Sequence, residues 1–385
     1  MDQKEMLEIC FDDRYRALRA RGISFVKKSN LDLLMKFFIL MRNSIGKPSA
    51  VQSIFVDEVK NSSMIINLRN TMAHCPADSA VINFREKERA HRHVKIGWLQ
   101  PVALAVYVAA AHVPIYLALP FCKWETTSRR SMRVLTHAFQ SFLRRLHGRA
   151  ERLYAMSDHN FYSTIACVDE HFESSVIQHG LLMDSSYYLP VLADHFMAWG
   201  ERCLELSHNC PQMRVTGTYK FEKLHPLPQD TAPNVLLYCV SITDEAKVKR
   251  KIDDILAAIE GTGYILKVKL HPGSFYDASA YREYQARGIE LYKECLLADI
   301  DFSTAIIENS TILLDLLYLH KRFIIFDESL DYFEPYAQLV PWAKEKGEVA
   351  HLLKNIDRIS YDTIREKVLH QELNDGRCTI FEDKE

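Results

Sequence analysis

A succession of short apolar runs, each cut off by small or polar residues and most followed by a helical pattern, constrains this chain more than any other feature. The runs are Leu153-Tyr-Ala-Met156, Ser175-Val-Ile-Gln-His-Gly180, Ala193-Asp-His-Phe-Met-Ala-Trp-Gly200, Met213-Arg-Val-Thr-Gly217, Val235-Leu-Leu-Tyr-Cys-Val240, Tyr264-Ile-Leu-Lys-Val-Lys-Leu270, Ile306-Ile-Glu308 and Phe323-Ile-Ile-Phe326. Apolar runs of this length, alternating with helical stretches, predict parallel strands joined by helical crossovers, and so an α/β fold. The series pauses at residues 218–233, a polar stretch with Pro226, Pro228 and Pro233 that reads as an interdomain linker. The chain thereby divides into an N-terminal α/β domain over 1–217 and a C-terminal α/β domain with tail helices over 234–385. Two such domains imply a cleft between them, the usual place for a ligand.

The region before residue 150 is less regular. Residues 63–67 and 80–84 read as short strands. Residues 96–122 carry no formal charge with His112 taken as neutral, and residues 123–152 then hold eight Lys/Arg against Glu125 and Glu151. An apolar segment next to a basic amphipathic one is the pattern of a protein lying on an anionic membrane surface; a buried helix beside a solvated one would read the same way. Pro101, Pro114 and Pro120 interrupt the apolar run and argue against a full span. The expectation is a peripheral position on the inner face of the cytoplasmic membrane.

Composition removes other classes. A net charge of −2 over 385 residues does not suit a bulk nucleic-acid binder. Nine cysteines with no CxxC pair predict reduced thiols, neither a disulfide scaffold nor a zinc cluster. The start, Met1-Asp-Gln-Lys-Glu5, lacks the apolar core of a signal peptide. No Walker A sequence, GxSxG elbow or HExxH occurs, and Gly261-Thr-Gly263 closes a helix instead of opening one.

Candidate chemistry sits at the ends of the runs. His271-Pro272 closes the strand 264–270, where an imidazole can donate to a phosphate oxygen or a ribose hydroxyl. His225-Pro226 is the same dipeptide inside the linker and serves as an internal control. Glu308-Asn309-Ser310-Thr311 offers a carboxylate for ribose or base, then hydroxyls and early-helix amides that favour an anion, although Asn309 or Ser310 can equally be a helix cap. In the first domain, Gln178-His179-Gly180 and Asp158-His159-Asn160 end neighbouring strands, so His179 or Asp158 is the candidate general base toward an acceptor hydroxyl. Tyr187, Tyr188 and Trp199 are candidate stacking aromatics that are more often core. His159, Asp169 and His171 do not form a metal-ligand spacing, so no protein-bound metal or other cofactor is expected; Mg²⁺ would enter only through substrate phosphates.

With these residues in place, the chain resembles bacterial surface-polysaccharide glycosyltransferases of the GT-B architecture. The resemblance is carried by residues 153–163, Val176-Ile-Gln-His-Gly180, residues 193–200, Val215-Thr-Gly217, and the Lys269-Leu-His-Pro272 and Glu308-Asn-Ser-Thr311 motifs. The last two are similar to the HP and Ser/Thr motifs of sialyltransferases and Kdo transferases, and the histidines to those of CDP-glycerol glycerophosphotransferases. The resemblance covers residues 150–330. It implies a GT-B-like fold of two Rossmann-like domains and an inverting, metal-independent transfer from a cytidine-nucleotide sugar in capsule or lipopolysaccharide synthesis. It also implies an oligosaccharide or lipid-linked acceptor. His271, Pro272, Glu308, Ser310 and Thr311 would bind the donor, and His179 or Asp158 would be catalytic. A CDP-polyol phosphotransferase and a UDP-sugar epimerase-like enzyme are the alternatives. No acidic-acidic-glycine motif of the polysialyltransferases is found in the first domain.

Overall fold

The computed structural model describes residues 23–48, 50–58, 62–84, 93–117, 124–157, 160–181, 191–205, 212–228, 232–241, 244–271, 278–293, 295–308, 310–330, 333–373 and 378–382. The first half contains α1 (Ile23–Asn43), β1 (Ser53–Asp57), α2 (Ser62–Ala73), β2 (Ser79–Asn83), α3 (Leu99–Leu117) and α4 (Trp124–Leu143). It continues with β3 (Arg152–Ala155), α5 (Phe161–Cys167), β4 (Glu173–Ile177), β5 (His195–Ala198), α6 (Arg202–Glu205) and β6 (Met213–Val215). The second half contains β7 (Val235–Cys239), α7 (Glu245–Ala258), β8 (Ile265–Lys269), α8 (Arg282–Ala286), β9 (Glu290–Tyr292) and β10 (Thr304–Ile307). It ends with α9 (Ile312–Tyr318), β11 (Arg322–Phe326), β12 (Trp342–Ala343), α10 (Lys346–Lys354) and α11 (Tyr361–Glu372).

The strands form two parallel six-stranded sheets, in orders β2-β1-β3-β4-β5-β6 and β12-β11-β10-β7-β8-β9. The expected fold of two Rossmann-like α/β domains is therefore what the structure shows. Such sheets are covered by helices on both faces, which is why β7, β10 and β11 read as nearly unbroken apolar runs and are buried along almost their whole length. Helix α7 shows the local logic. Asp244 caps it by accepting from Ala246 N (2.9 Å) and Lys247 N (3.2 Å), and Val248, Ile252 and Ile255 bury one stripe. In the second sheet the order reverses direction between β7 and β10, and in the first between β1 and β3. At such switch points the crossover loops diverge and leave a crevice at the carboxyl ends of the strands.

The N-terminal quarter departs from expectation. Residues 63–67 lie in helix α2, because Leu68 and Met72, four apart, bury against the sheet, and that packing overrides the β-branched Ile65-Ile66. The strand there is instead the fully buried β1. Residues 99–117 of the uncharged run form α3, with Pro114 inside it. Among the described residues, no helix is long and apolar enough to cross a membrane.

The linker is anchored on both sides. Asn70 Nδ2 donates to Tyr219 O (3.0 Å), Leu227 N donates to Leu319 O (3.0 Å), and Lys220 pairs with Asp315 of α9 (3.3 Å). The chain then returns to the first domain at its end. Glu372 pairs with Arg202 of α6, and Ile380 joins Phe55 and Tyr154 in the first-domain core. Gly200 permits this crossing, since a Cβ there would lie 2.5 Å from the Glu372 carbonyl carbon.

Candidate functional site

The carboxyl ends of β4 and β10 face each other across the domain boundary, and one hydrogen bond joins them directly: Leu181 N donates to Thr311 Oγ1 (3.2 Å). The two loops that sequence singled out separately, 178–181 and 308–311, thus meet in space. Gln178 shapes the first. Its Nε2 donates to Gly180 O (2.8 Å), and its Oε1 accepts from Trp199 N (2.7 Å) and Cys203 Sγ (3.2 Å). A fully buried amide with its polar atoms engaged fixes the loop rigidly, and His179 follows it as a mostly buried side chain. Asp158, Pro272, Tyr187 and Tyr188 lie outside the described residues. Trp199 is fully enclosed in the interdomain core against Phe221, so it does not stack on a ligand.

Across the boundary, the second-domain switch point is built from residues that sequence reasoning only partly found. Glu308 is fully buried. Its carboxylate accepts from Tyr238 OH (2.7 Å), Ser241 N (2.6 Å) and Ser241 Oγ (2.5 Å), and Lys251 Nζ lies 3.2 Å away. Burial and the Glu308 charge hold the Tyr238 phenol protonated, its pKa well above the ordinary value. Sequence placed this carboxylate on the ligand; the structure turns it inward, where it clamps the β7 and β10 ends together and fixes Ser241. Ser241 and Lys251 were missed. The signal for Ser241 was a small hydroxyl directly after the apolar run 235–240; for Lys251 there is none, because its partners come from other elements.

His271 stands just past β8, two residues beyond the registered pair Cys239–Lys269. Burial, with a contribution from the Lys269 charge, lowers the pKa of this half-buried imidazole, while Glu308 opposes the shift. The ring is therefore neutral at pH 7. Lys269 is 8% exposed, yet no carboxylate among the described residues pairs with it. Its strand neighbour Cys239 cannot serve as counter-ion, because burial pushes that thiol up to about 12. A buried cation without an anion is costly, so this corner is electrostatically incomplete. His225, the control, is an exposed linker residue.

Ser310 and Thr311 precede α9, and Leu313 N and Leu314 N donate back to their carbonyls (3.2 and 3.1 Å). Thr311 makes no side-chain cap; its hydroxyl accepts from Leu181 and keeps its own proton to donate. In the first domain, the switch point between β1 and β3 is closed by Glu58, another residue sequence missed. It accepts from Tyr162 N (2.7 Å) and Ser163 N (2.9 Å) at the start of α5 and pairs with Lys36 (3.3 Å). That helix start already holds an internal carboxylate, whereas no carboxylate among the described residues pairs with Lys269 in the second domain.

Away from the cleft, α3 exposes Trp98 beside its start and Leu99, Val102, Val106, Val113 and Leu117 along it, with Leu99 87% and Leu117 71% accessible. Packed beside it, α4 exposes Arg129, Arg130, Arg133 and, past its end, Arg144 and Arg145.

No protein family matches the chain, and no curated protein does. Among solved structures, the wall teichoic acid polymerase TagF is 12% identical, over 94% of this chain and 92% of its own, with a TM-score of 0.44. The UDP-N-acetylglucosamine 2-epimerase of Rickettsia bellii is 9% identical over 83% and 95%, with a TM-score of 0.48. The pneumococcal O-GlcNAc transferase GtfA, in complex with UDP and GlcNAc, is 13% identical with a TM-score of 0.41; the match covers 61% of this chain and 58% of GtfA.

Proposed function

We propose that the chain is a glycosyltransferase that takes a nucleotide-activated sugar, of the cytidine-nucleotide class, and serves surface-polysaccharide synthesis. The observation that carries this reading is the Lys269–His271 corner: a buried ammonium that no carboxylate among the described residues pairs, beside a neutral imidazole, at the carboxyl edge next to a Rossmann switch point. A diphosphate or monophosphate supplies the missing charge. Ser241 and the Ser310 and Thr311 hydroxyls add donors, and Glu308 acts by positioning Ser241. The sugar then projects toward the first-domain loop that carries His179.

The reaction is a single in-line displacement. His179 removes the acceptor hydroxyl's proton as its oxygen bonds to the anomeric carbon, and the bond from that carbon to the phosphate oxygen breaks with inversion. Negative charge develops on the departing phosphate, so fixed donors aimed there stabilise the transition state more than the ground state. No protein-bound metal is assigned to this step.

Melting the protein with CMP, CDP, UDP and GDP tests the donor class. A ligand at a hundred times its dissociation constant stabilises by about 2.7 kcal/mol, and the cytidine nucleotides are expected to shift most. A shift with none of the four would remove the reading. A base contributes about 10²–10⁴-fold, so His179→Ala should lower turnover within that range with donor affinity nearly intact. Asp158→Asn abolishing transfer while His179→Ala retains it would reverse the roles.

The acceptor is proposed to be lipid-linked, with the apolar face of α3 and the arginines of α4 resting on an anionic membrane surface. An exposed apolar stripe next to a basic one suits the boundary between acyl chains and headgroups. High salt should release part of the protein from phosphatidylglycerol vesicles, and Leu99→Asp with Val106→Asp should abolish binding. Equal recovery of this variant and the wild type with vesicles would contradict the placement.

A further inference from the structure

At the opposite edge of the first sheet, before β3 and β4, the fold gathers three metal-ligand types. His147 Nε2 lies 3.3 Å from Asp169 Oδ1 and 3.4 Å from Oδ2, and His171 Nδ1 lies 3.0 Å from Oδ1. All three donor groups fall within 4.8 Å of one another. No lysine or arginine among the described residues pairs with Asp169, although its side chain is only 9% exposed. Sequence spacing did not reveal the group, because His147 precedes Asp169 by 22 residues and arrives through the turn after α4.

We propose that His147, Asp169 and His171 form a binding site for a first-row divalent transition ion, zinc being the probe. In a tetrahedral zinc site with bonds of about 2.0–2.1 Å, donors lie about 3.3 Å apart, close to the separations here. Two imidazoles and one carboxylate suit zinc, cobalt or nickel better than magnesium or calcium. The carboxylate is already oriented, since His171 N donates to Asp169 Oδ1 (3.1 Å). The two rings lie stacked, centroids 3.7 Å apart and planes 10° from parallel, so coordination turns them out of the stack until each lone pair meets the ion. His171, with half its side chain exposed, has room for this movement, and water completes the open side of the shell. The ion ties the turn before β3 to the turn before β4. The cleft lies at the other ends of these strands, so the role is structural and independent of donor binding.

The test uses the full chain after chelator treatment, titrated with Co²⁺ and Zn²⁺. Expected is one Co²⁺ per chain with visible d–d absorption that Zn²⁺ displaces, together with a higher melting temperature. His171→Ala, at a half-exposed position where folding is secure, should weaken Co²⁺ binding by about tenfold or more, and His147→Ala likewise, with circular dichroism confirming its fold. Nucleotide affinity should be unchanged by the metal. Co²⁺ binding equal in the wild type and His171→Ala, or no ordered stoichiometry in the wild type, would overturn the proposal.

Discussion

Replacing Lys269 by methionine should move stability and ligand binding in opposite directions. The stem of Lys269 is packed in β8 between β7 and β9, and methionine keeps that apolar contact while deleting the charge. The ammonium has no carboxylate partner among the described residues, and the thiol beside it stays neutral because burial pushes its pKa to about 12. Removing a buried, uncompensated polar group relieves about 1–3 kcal/mol. At about 2–4 °C per kcal/mol for domains of this size, the free protein should melt about 2–12 °C higher. A charge-assisted hydrogen bond to phosphate contributes about 1.5–3 kcal/mol, so nucleotide affinity should fall about 10–150-fold. Scanning calorimetry of the free protein and titration calorimetry with the best-binding nucleotide give the two numbers. Lys269→Arg, which keeps the charge, should show neither the full gain nor the full loss. If Lys269→Met melts below the wild type and binds nucleotide unchanged, the corner is not an anion site and the electrostatic argument fails.

Glu308→Ala leaves Lys251 with Asp327 and the Phe326 carbonyl but strands the Tyr238 phenol and Ser241, and should cost about 1–3 kcal/mol for each stranded group in chemical denaturation; an unchanged midpoint would mean that this network does not hold the switch point. His271 and His112 have pKa values lowered by burial, so below about 6.5 the unfolded chain takes up protons that these folded residues do not. Their contribution to stability is therefore flat above that pH and falls as pH drops toward the depressed folded values. Urea midpoints at pH 8, 6.5 and 5.5 measure it, and His112→Gln should reduce the slope. Gly200→Ala drives a methyl group into the backbone at Glu372, with contacts of 2.5–2.7 Å, and should destabilise by about 1–3 kcal/mol with faster proteolysis of the C-terminal tail.

The second domain was the more legible half. Its strands are buried on both faces, so β7, β8, β10 and β11 stand out as apolar runs whose ends carry His271 and Glu308. The first domain hid β1, since five buried residues after a loop resemble any short apolar stretch, and Ile65-Ile66 drew the strand assignment into helix α2. With β1 went Glu58, whose carboxylate fills the start of α5. Glu308 was visible as a strand-end acid, but its orientation depends on Tyr238, Ser241 and Lys251, which only the fold brings together. The same holds for His147 with Asp169. Local pattern reveals where a strand ends; the direction in which a buried charge turns is decided by partners far away in sequence.

Where a nucleotide's phosphates bind is decided by the charge and hydrogen-bond donors at the edge of the second sheet. A crystal structure with CDP should place them at the carboxyl edge of the second sheet, within hydrogen-bonding distance of His271, Lys269 and the Ser241 or Thr311 hydroxyl, with the imidazole of His179 facing the leaving-group oxygen across the cleft. Phosphates bound in the first domain, or anywhere that leaves Lys269 without an anion, would contradict it.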